Sequence, residues 1–187
     1  MEAVPTVQYE VLDETGIPTG KLADKSAVHT QQLWHGVVNV WVVNSKGELL
    51  MQLRAPGVEL SPSVWDVSTG SHVRPGETPQ AAAQRCLQSE LGIAVAPQEL
   101  KHLFNIQCKN PLPNGTTHNV FGHVFLVQQD VDIASLQVDP AKIAQLAWVP
   151  IMQLMSDVGN DATRQQYLPR ANNYYPQLFN AMQTWLQ

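Results

Sequence analysis

Apolar and polar positions alternate from Val7 to Leu12, and the pattern breaks at Glu14-Thr15-Gly16 before IPTGKL. Period-two alternation interrupted by turn residues predicts a small N-terminal hairpin, with Lys21–Lys25 as a polar connection. The Val- and Trp-rich run WHGVVNVWVVN, from Trp34, predicts a buried strand. Ser45-Lys46-Gly47 turns the chain into a return strand over Glu48–Arg54. Ala55–Ser63 holds two prolines and a glycine and reads as a loop, followed by a short strand over Val64–Thr69. Further strands are predicted over Leu103–Cys108, His118–Val127 and Leu146–Val149. Pro97–Leu100 is a connector, and Lys109–Thr116 is a turn-rich loop tightest at Asn114-Gly115. Ile151–Met155 reads as a short helix, and Gly159–Asn173 is polar and weakly patterned. Tyr174–Leu186 then carries Leu178, Met182 and Trp185 at helical spacing, a stripe that signals core packing.

Between the strands lies Gly70–Ile93, a glycine-rich loop running into a helix. Thr78 is placed to cap the first turn, and Pro79 suits the first helical position, where its missing N–H costs nothing. Ala81–Leu91 carries good helix formers, and Gly92 stands where a left-handed residue ends a helix. Strands flanking one central helix and closed by a terminal helix predict an α/β fold, an α/β/α sandwich with a mixed β-sheet.

The chain has 187 residues, enough for one domain over 1–187 with a full core. Residues 1–33 form its hairpin extension and 174–187 its terminal helix. A net charge of −5 with only 11 Lys plus Arg speaks against a nucleic-acid surface. No basic run suggests a membrane patch, and the apolar stretch near Val37–Val43 is too short to span a bilayer. Cys86 and Cys108 make no disulfide framework, and the N-terminus lacks the pattern of a signal peptide. The expectation is a soluble cytoplasmic protein.

The spacing within GSHVRPGETPQAAAQRCLQSELGI resembles a Nudix box. Glu77, Arg85, Leu87, Glu90, Gly92 and Ile93 take motif positions. Ser71 replaces the first glycine, with Gly70 beside it, and Cys86 and Ser89 replace two helix glutamates. At α-helical spacing, residues 86, 89 and 90 are expected to share one face, where three carboxylates would make a hard oxygen site for Mg²⁺. Only Glu90 remains. The resemblance implies a metal-dependent hydrolase of a diphosphate linked to another moiety, using Mg²⁺ or Mn²⁺. Glu77, Arg85 and Glu90 would be its catalytic residues, Glu90 and the Gly70 carbonyl metal ligands, and Gly70, Gly76 and Arg54 substrate contacts. It also allows a homodimer.

From about Tyr9 to Pro150 the chain is similar to one branch of that superfamily, the isopentenyl-diphosphate isomerases and the hydrolases that resemble them. The isomerase holds a divalent metal with three histidines and two glutamates. Its histidines fall on His29, His35 and His72, and one glutamate ligand falls on His118. If these four converge, imidazole suits a transition metal better than Mg²⁺. The isomerase's catalytic cysteine and glutamate fall on Gly70 and Val120, which cannot move a proton. An acidic residue that the hydrolases often place six before Trp148 is Lys142 here. Three readings follow: a hydrolase slowed by its missing glutamates, a non-catalytic diphosphate or nucleotide binder on the same scaffold, and, least supported, an isomerase.

Overall fold

The computed structural model describes residues 7–111, 115–170 and 173–183. Strands β1 (Gln8–Leu12) and β2 (Pro18–Asp24) form the expected hairpin as a separate two-stranded sheet. Its turn is tied by Asp13, whose Oδ1 accepts from the backbone N–H groups of Thr15 and Ile17. The polar connection expected at Lys21–Lys25 is instead the end of β2 and the start of a helix, α1 (Lys25–Thr30). Asp24 caps α1 by accepting from Ala27 N–H at 2.8 Å. Six residues are too few for helical periodicity to show in a sequence.

The main sheet has seven strands. They are β3 (His35–Val43), β4 (Glu48–Arg54), β5 (Trp65–Asp66), β6 (Thr69–His72), β7 (Lys101–Pro111), β8 (Thr117–Gln128) and β9 (Ile143–Pro150). Five run in the order β5-β4-β3-β8-β7, with β6 paired to β3 and β9 to β4. Only β3 and β8 run parallel, so the sheet is mixed as expected. Helix α2 (Pro79–Cys86) covers one face, packing Ala82, Ala83 and Cys86 on Val38, Val40, Val42 and Leu50. Helices α3 (Ile151–Val158) and α4 (Tyr174–Ala181) cover the other, over Trp41, Val43, Leu49 and Met51. A hydrogen bond of 3.0 Å from Trp41 Nε1 to Tyr174 Oη pins α4 to the sheet.

Three other expectations change. Gly70–His72 is not a loop but part of β6, with Gly70 opposite Asn39 and His72 opposite Val37 in the ladder with β3. The Lys109–Thr116 loop is shorter than expected because β7 continues to Pro111 and β8 begins at Thr117; Gly115 has φ +82°, and Asn114 lies outside the described residues. The terminal helix is described over Tyr174–Ala181, with Met182 buried behind it, and Trp185 and Leu186 lie outside the described residues.

The sheet has one weak seam. The β3–β4 ladder has only two residue pairs, Val42–Leu50 and Val43–Leu49. Fully buried Ser68 steps in where the strands part. Its hydroxyl accepts from Val42 N–H at 2.8 Å and donates to Leu50 C=O. Ser68→Ala leaves both backbone groups stranded, at about 1–3 kcal/mol for each unpaired group. Thermal unfolding should therefore fall by several degrees, at roughly 2–4 °C per kcal/mol for a chain of this size. An unchanged midpoint would show that the seam does not depend on this hydroxyl.

Candidate functional site

Four histidines from four elements converge at one end of the sheet. His29 lies on α1, His35 opens β3, His72 ends β6, and His118 lies near the start of β8. One ligating nitrogen from each lies within 4.8 Å of the others. His35 Nδ1 is 2.9 Å from Leu33 C=O; a carbonyl only accepts, so Nδ1 carries the proton and Nε2 keeps its lone pair. That Nε2 is 3.0 Å from His118 Nε2. Nitrogens bound at about 2.0–2.1 Å to one ion stand about 3 Å apart, so the two are spaced as co-ligands. Nε2 of His29 and of His72 are buried without a hydrogen-bond partner, a costly state that an ion between the rings would relieve.

The electrostatics agree with that geometry. Burial depresses all four imidazoles, His35 to about 4 and His72 and His118 to about 3, with His29 lowered as well. The rings are therefore neutral at neutral pH, the form that ligates metal. An all-imidazole donor set favours zinc, nickel, copper or iron over Mg²⁺. Tyr9, from β1, lies over the cluster with its ring centroid 4.5 Å from that of His72. The hairpin's alternation predicted a buried face without showing where Tyr9 would land.

The box helix starts as expected, with Thr78 Oγ1 accepting from Ala81 N–H at 3.2 Å and Pro79 in the first turn. It ends differently. Residues Leu87–Leu91 form a π turn, closed by Gly92 at φ +71°. Cys86 and Glu90 both meet Thr69, while Ser89 is exposed, so the three residues do not share one face as α-helical spacing implied. Cys86 is buried, Ser89 is exposed, and half-buried Glu90 accepts a hydrogen bond from Thr69 Oγ1. Burial pushes the Cys86 thiol up to about 12, and its Sγ donates to Ala83 C=O. It is a packing residue, as expected of a cysteine in mid-helix.

Glu77 and Arg85 meet as a bidentate pair, Nε to Oε1 at 2.7 Å and Nη2 to Oε2 at 2.9 Å. The Arg85 hydrogen bonds, with one from Arg74 N–H, hold the Glu77 carboxyl below its usual range. Arg85 also donates to His72 C=O at 2.9 Å and to Ser71 Oγ at 3.3 Å, tying α2 to β6. Gly76, at φ +72°, makes the turn between Arg74 and Glu77. Strand alternation sends Thr69 and Ser71 towards α2, and Gly70 and His72 to the opposite face. Glu90 and the four histidines thus flank β6 from opposite sides.

Arg54 is engaged with its own loop. It donates from Nε to Ser61 C=O at 2.9 Å, from Nη2 to Leu60 C=O at 2.7 Å, and from Nη1 to Asp66 Oδ2 at 3.1 Å. The other oxygen of Asp66 accepts from Arg170 Nη2, while Arg170 Nη1 reaches Asn39 Oδ1 at 3.2 Å. The guanidinium carbon of Arg170 lies 4.9 Å from the Tyr174 ring centroid. Burial alone would lower the Arg170 pKa, but the Asp66 charge outweighs it and holds the group protonated. Nothing in the polar stretch around Arg170 marks it in the sequence. Lys142 is exposed in the turn just before β9 and supplies no carboxylate.

Comparison with known proteins narrows the reading. Isopentenyl-diphosphate Delta-isomerase of Streptomyces coelicolor is 34% identical over 151 residues, covering 79% of this chain and 73% of that protein. Nudix hydrolase 3 of Arabidopsis thaliana is 26% identical over 177 residues, covering 92% of this chain but only 23% of that longer protein. Among solved structures, DR0079 from Deinococcus radiodurans superposes with a TM-score of 0.64 at 22% identity, over 86% of this chain and 99% of that one. The NUDIX domain of Shewanella oneidensis NrtR, determined with ADP ribose, gives 0.56 at 12% identity, over 82% of this chain and 89% of that one. Both likenesses support the fold alone. Among the described residues, no helix is long and apolar enough to cross a membrane. Residues 33–171 match the model of the NUDIX domain, and the chain belongs to that family, in the branch that includes the isopentenyl-diphosphate isomerases.

Proposed function

We propose that this chain is a metal-dependent Nudix hydrolase that cleaves a diphosphate joined to a second moiety, with its metal held by histidines. The observation that carries this reading is the convergence of His29, His35, His72 and His118 with two buried nitrogens left unpartnered. A divalent ion held by these imidazoles would neutralise and orient the diphosphate. Arg85 and Glu77 act as positioning residues, because their pair fixes β6 and with it His72. Gly70 leaves the strand floor beside His72 without a side chain. Glu90 is the one carboxylate left on the box helix, and because it lies across β6 from the histidines it is not placed to draw a proton from water at their ion. Losing the group that usually does this work costs about 10²–10⁴-fold, so slow turnover is expected.

A second reading has a specific observation behind it. Cys86 is buried, Ser89 points to solvent, and Glu90 is already hydrogen-bonded, so the helix offers little to a second ion. That favours a binder that keeps the pocket without the chemistry. Isomerisation is disfavoured despite the isomerases among the relatives, since Gly70 and Val120 offer neither proton donor nor acceptor.

Two outcomes are expected. Protein purified without chelators or an affinity tag should carry about one transition-metal ion per chain by elemental analysis. His35→Ala and His118→Ala should each lose most of it, and wild-type protein that binds no transition metal would defeat the metal assignment. Across a panel of diphosphate compounds, phosphate release should depend on that metal. Glu90→Gln should leave the metal content unchanged, since Glu90 lies across β6 from the histidines. Metal-loaded protein that turns over nothing, yet melts at a higher temperature with a diphosphate, would establish the binder instead.

A further inference from the structure

Two partly buried cations, Arg54 and Arg170, have no part in the proposed hydrolysis. They share one carboxylate, Asp66, and among the described residues neither has a second acidic partner. Two guanidinium groups and one carboxylate leave a surplus positive charge that is only partly solvated. Partly buried charge of that kind calls for an anion. Arg54 spends its donors on the loop and on Asp66. Arg170 has five N–H donors, and Asn39 and Asp66 take one each. Its side chain is 16% exposed, so a ligand can reach it.

The register shows what Arg170 faces. Asn39 shares a face of β3 with His35 and Val37, and it pairs with Gly70, two residues along β6 from His72. At about 3.3 Å per residue, Asn39 and the guanidinium bound to it stand about 7 Å along the sheet from His72. On that face β6 contributes Gly70, which has no side chain, and β3 contributes Val37 opposite His72. A Cβ on Gly70 would lie 3.4 Å from Asn39 Oδ1 and 3.0 Å from Val38 C=O. The histidine cluster, the side-chain-free Gly70 and the Arg170 guanidinium thus follow one another over a span comparable to the reach of a diphosphate.

We infer that Arg170 is a specificity-determining residue that grips a phosphate of the substrate, along the sheet from the four histidines. The inference rests on the diphosphate reading proposed above. A guanidinium takes a phosphate through two parallel hydrogen bonds that an ammonium cannot reproduce. Asp66, Asn39 and Tyr174 hold it at a fixed place, so the cost of ordering a long side chain is met before the ligand arrives.

The test is calorimetric binding of inorganic pyrophosphate to the full chain, with and without zinc, for wild type, Arg170→Lys and Asn39→Asp. Asn39→Asp is nearly isosteric, keeps an acceptor for Arg170 and cancels the surplus charge. Both variants should bind pyrophosphate at least tenfold more weakly, in either metal state, with zinc content unchanged. Asn39→Asp should melt no lower than wild type. A purely structural Arg170 predicts instead that Asn39→Asp binds pyrophosphate as wild type does. Wild-type affinity in both variants overturns the inference while leaving the metal reading intact. Protein that takes no metal yet binds pyrophosphate through Arg170 overturns that reading and keeps the inference. Absence of pyrophosphate binding in zinc-loaded wild type overturns both.

Discussion

Strand β3 is the constraint on which the rest of the structure depends. It pairs with β4, β6 and β8, and its period-two alternation sorts the whole molecule into two sides. Val38, Val40 and Val42 go to the box helix, while Val37, Trp41 and Val43 go to the core under α3 and α4. The same alternation puts His35 and Asn39 on the second side. A strand buried on both faces cannot slip by one residue without exposing one set and burying the other wrongly, so the register is fixed by burial. Because β6 is paired to β3, His72 and Gly70 inherit that register, and the chemistry is placed by the same constraint that folds the sheet.

Family membership and box chemistry separate here for a physical reason. The parts of the box that shape the backbone survive: Thr78 caps, Pro79 begins, Gly92 ends, and the Glu77–Arg85 pair closes the loop on the helix. The parts that supply negative charge are mostly gone. Cys86 has taken a core position beside Glu90, where a second carboxylate would be desolvated and repelled. Restoring glutamate at that position would therefore disturb packing before it restored a metal ligand.

How much was legible follows from the length scale of each signal. Long strands with clear alternation, such as Trp34–Asn44, could be read from residues alone. The helix start was equally readable, because capping is a local interaction over three or four residues. Helix α1 was missed since six residues carry no periodicity, and with it went any residue-level ground for placing His29 against His118. The π turn was missed because a sequence spaced for an α-helix says nothing of one wider turn. Gly70–His72 reads as a loop in sequence because a glycine–serine pair signals a breaker, whereas in the fold glycine serves close approach to Asn39 within a strand. The histidines were singled out by resemblance. Their convergence, and the Arg170 network across 131 residues of chain, belong to tertiary structure alone.

The charge balance of the two faces gives the last step. A carboxylate-rich box is negative before any metal arrives, so its ion lands on neutralising ligands and then bridges to phosphate. Four neutral imidazoles give no such compensation. An ion bound there keeps both positive charges, in a setting where Arg54 and Arg170 already exceed Asp66 by one. Electrostatic energy of that kind is relieved by an anion among the remaining ligands, since buried like charges are far less screened than in water. On the proposed reading, a diphosphate, with several negative oxygens on a short frame, would meet the ion and the guanidinium together. On the same reading, the loss of acidic residues would move the job of charge compensation from the protein to its ligand.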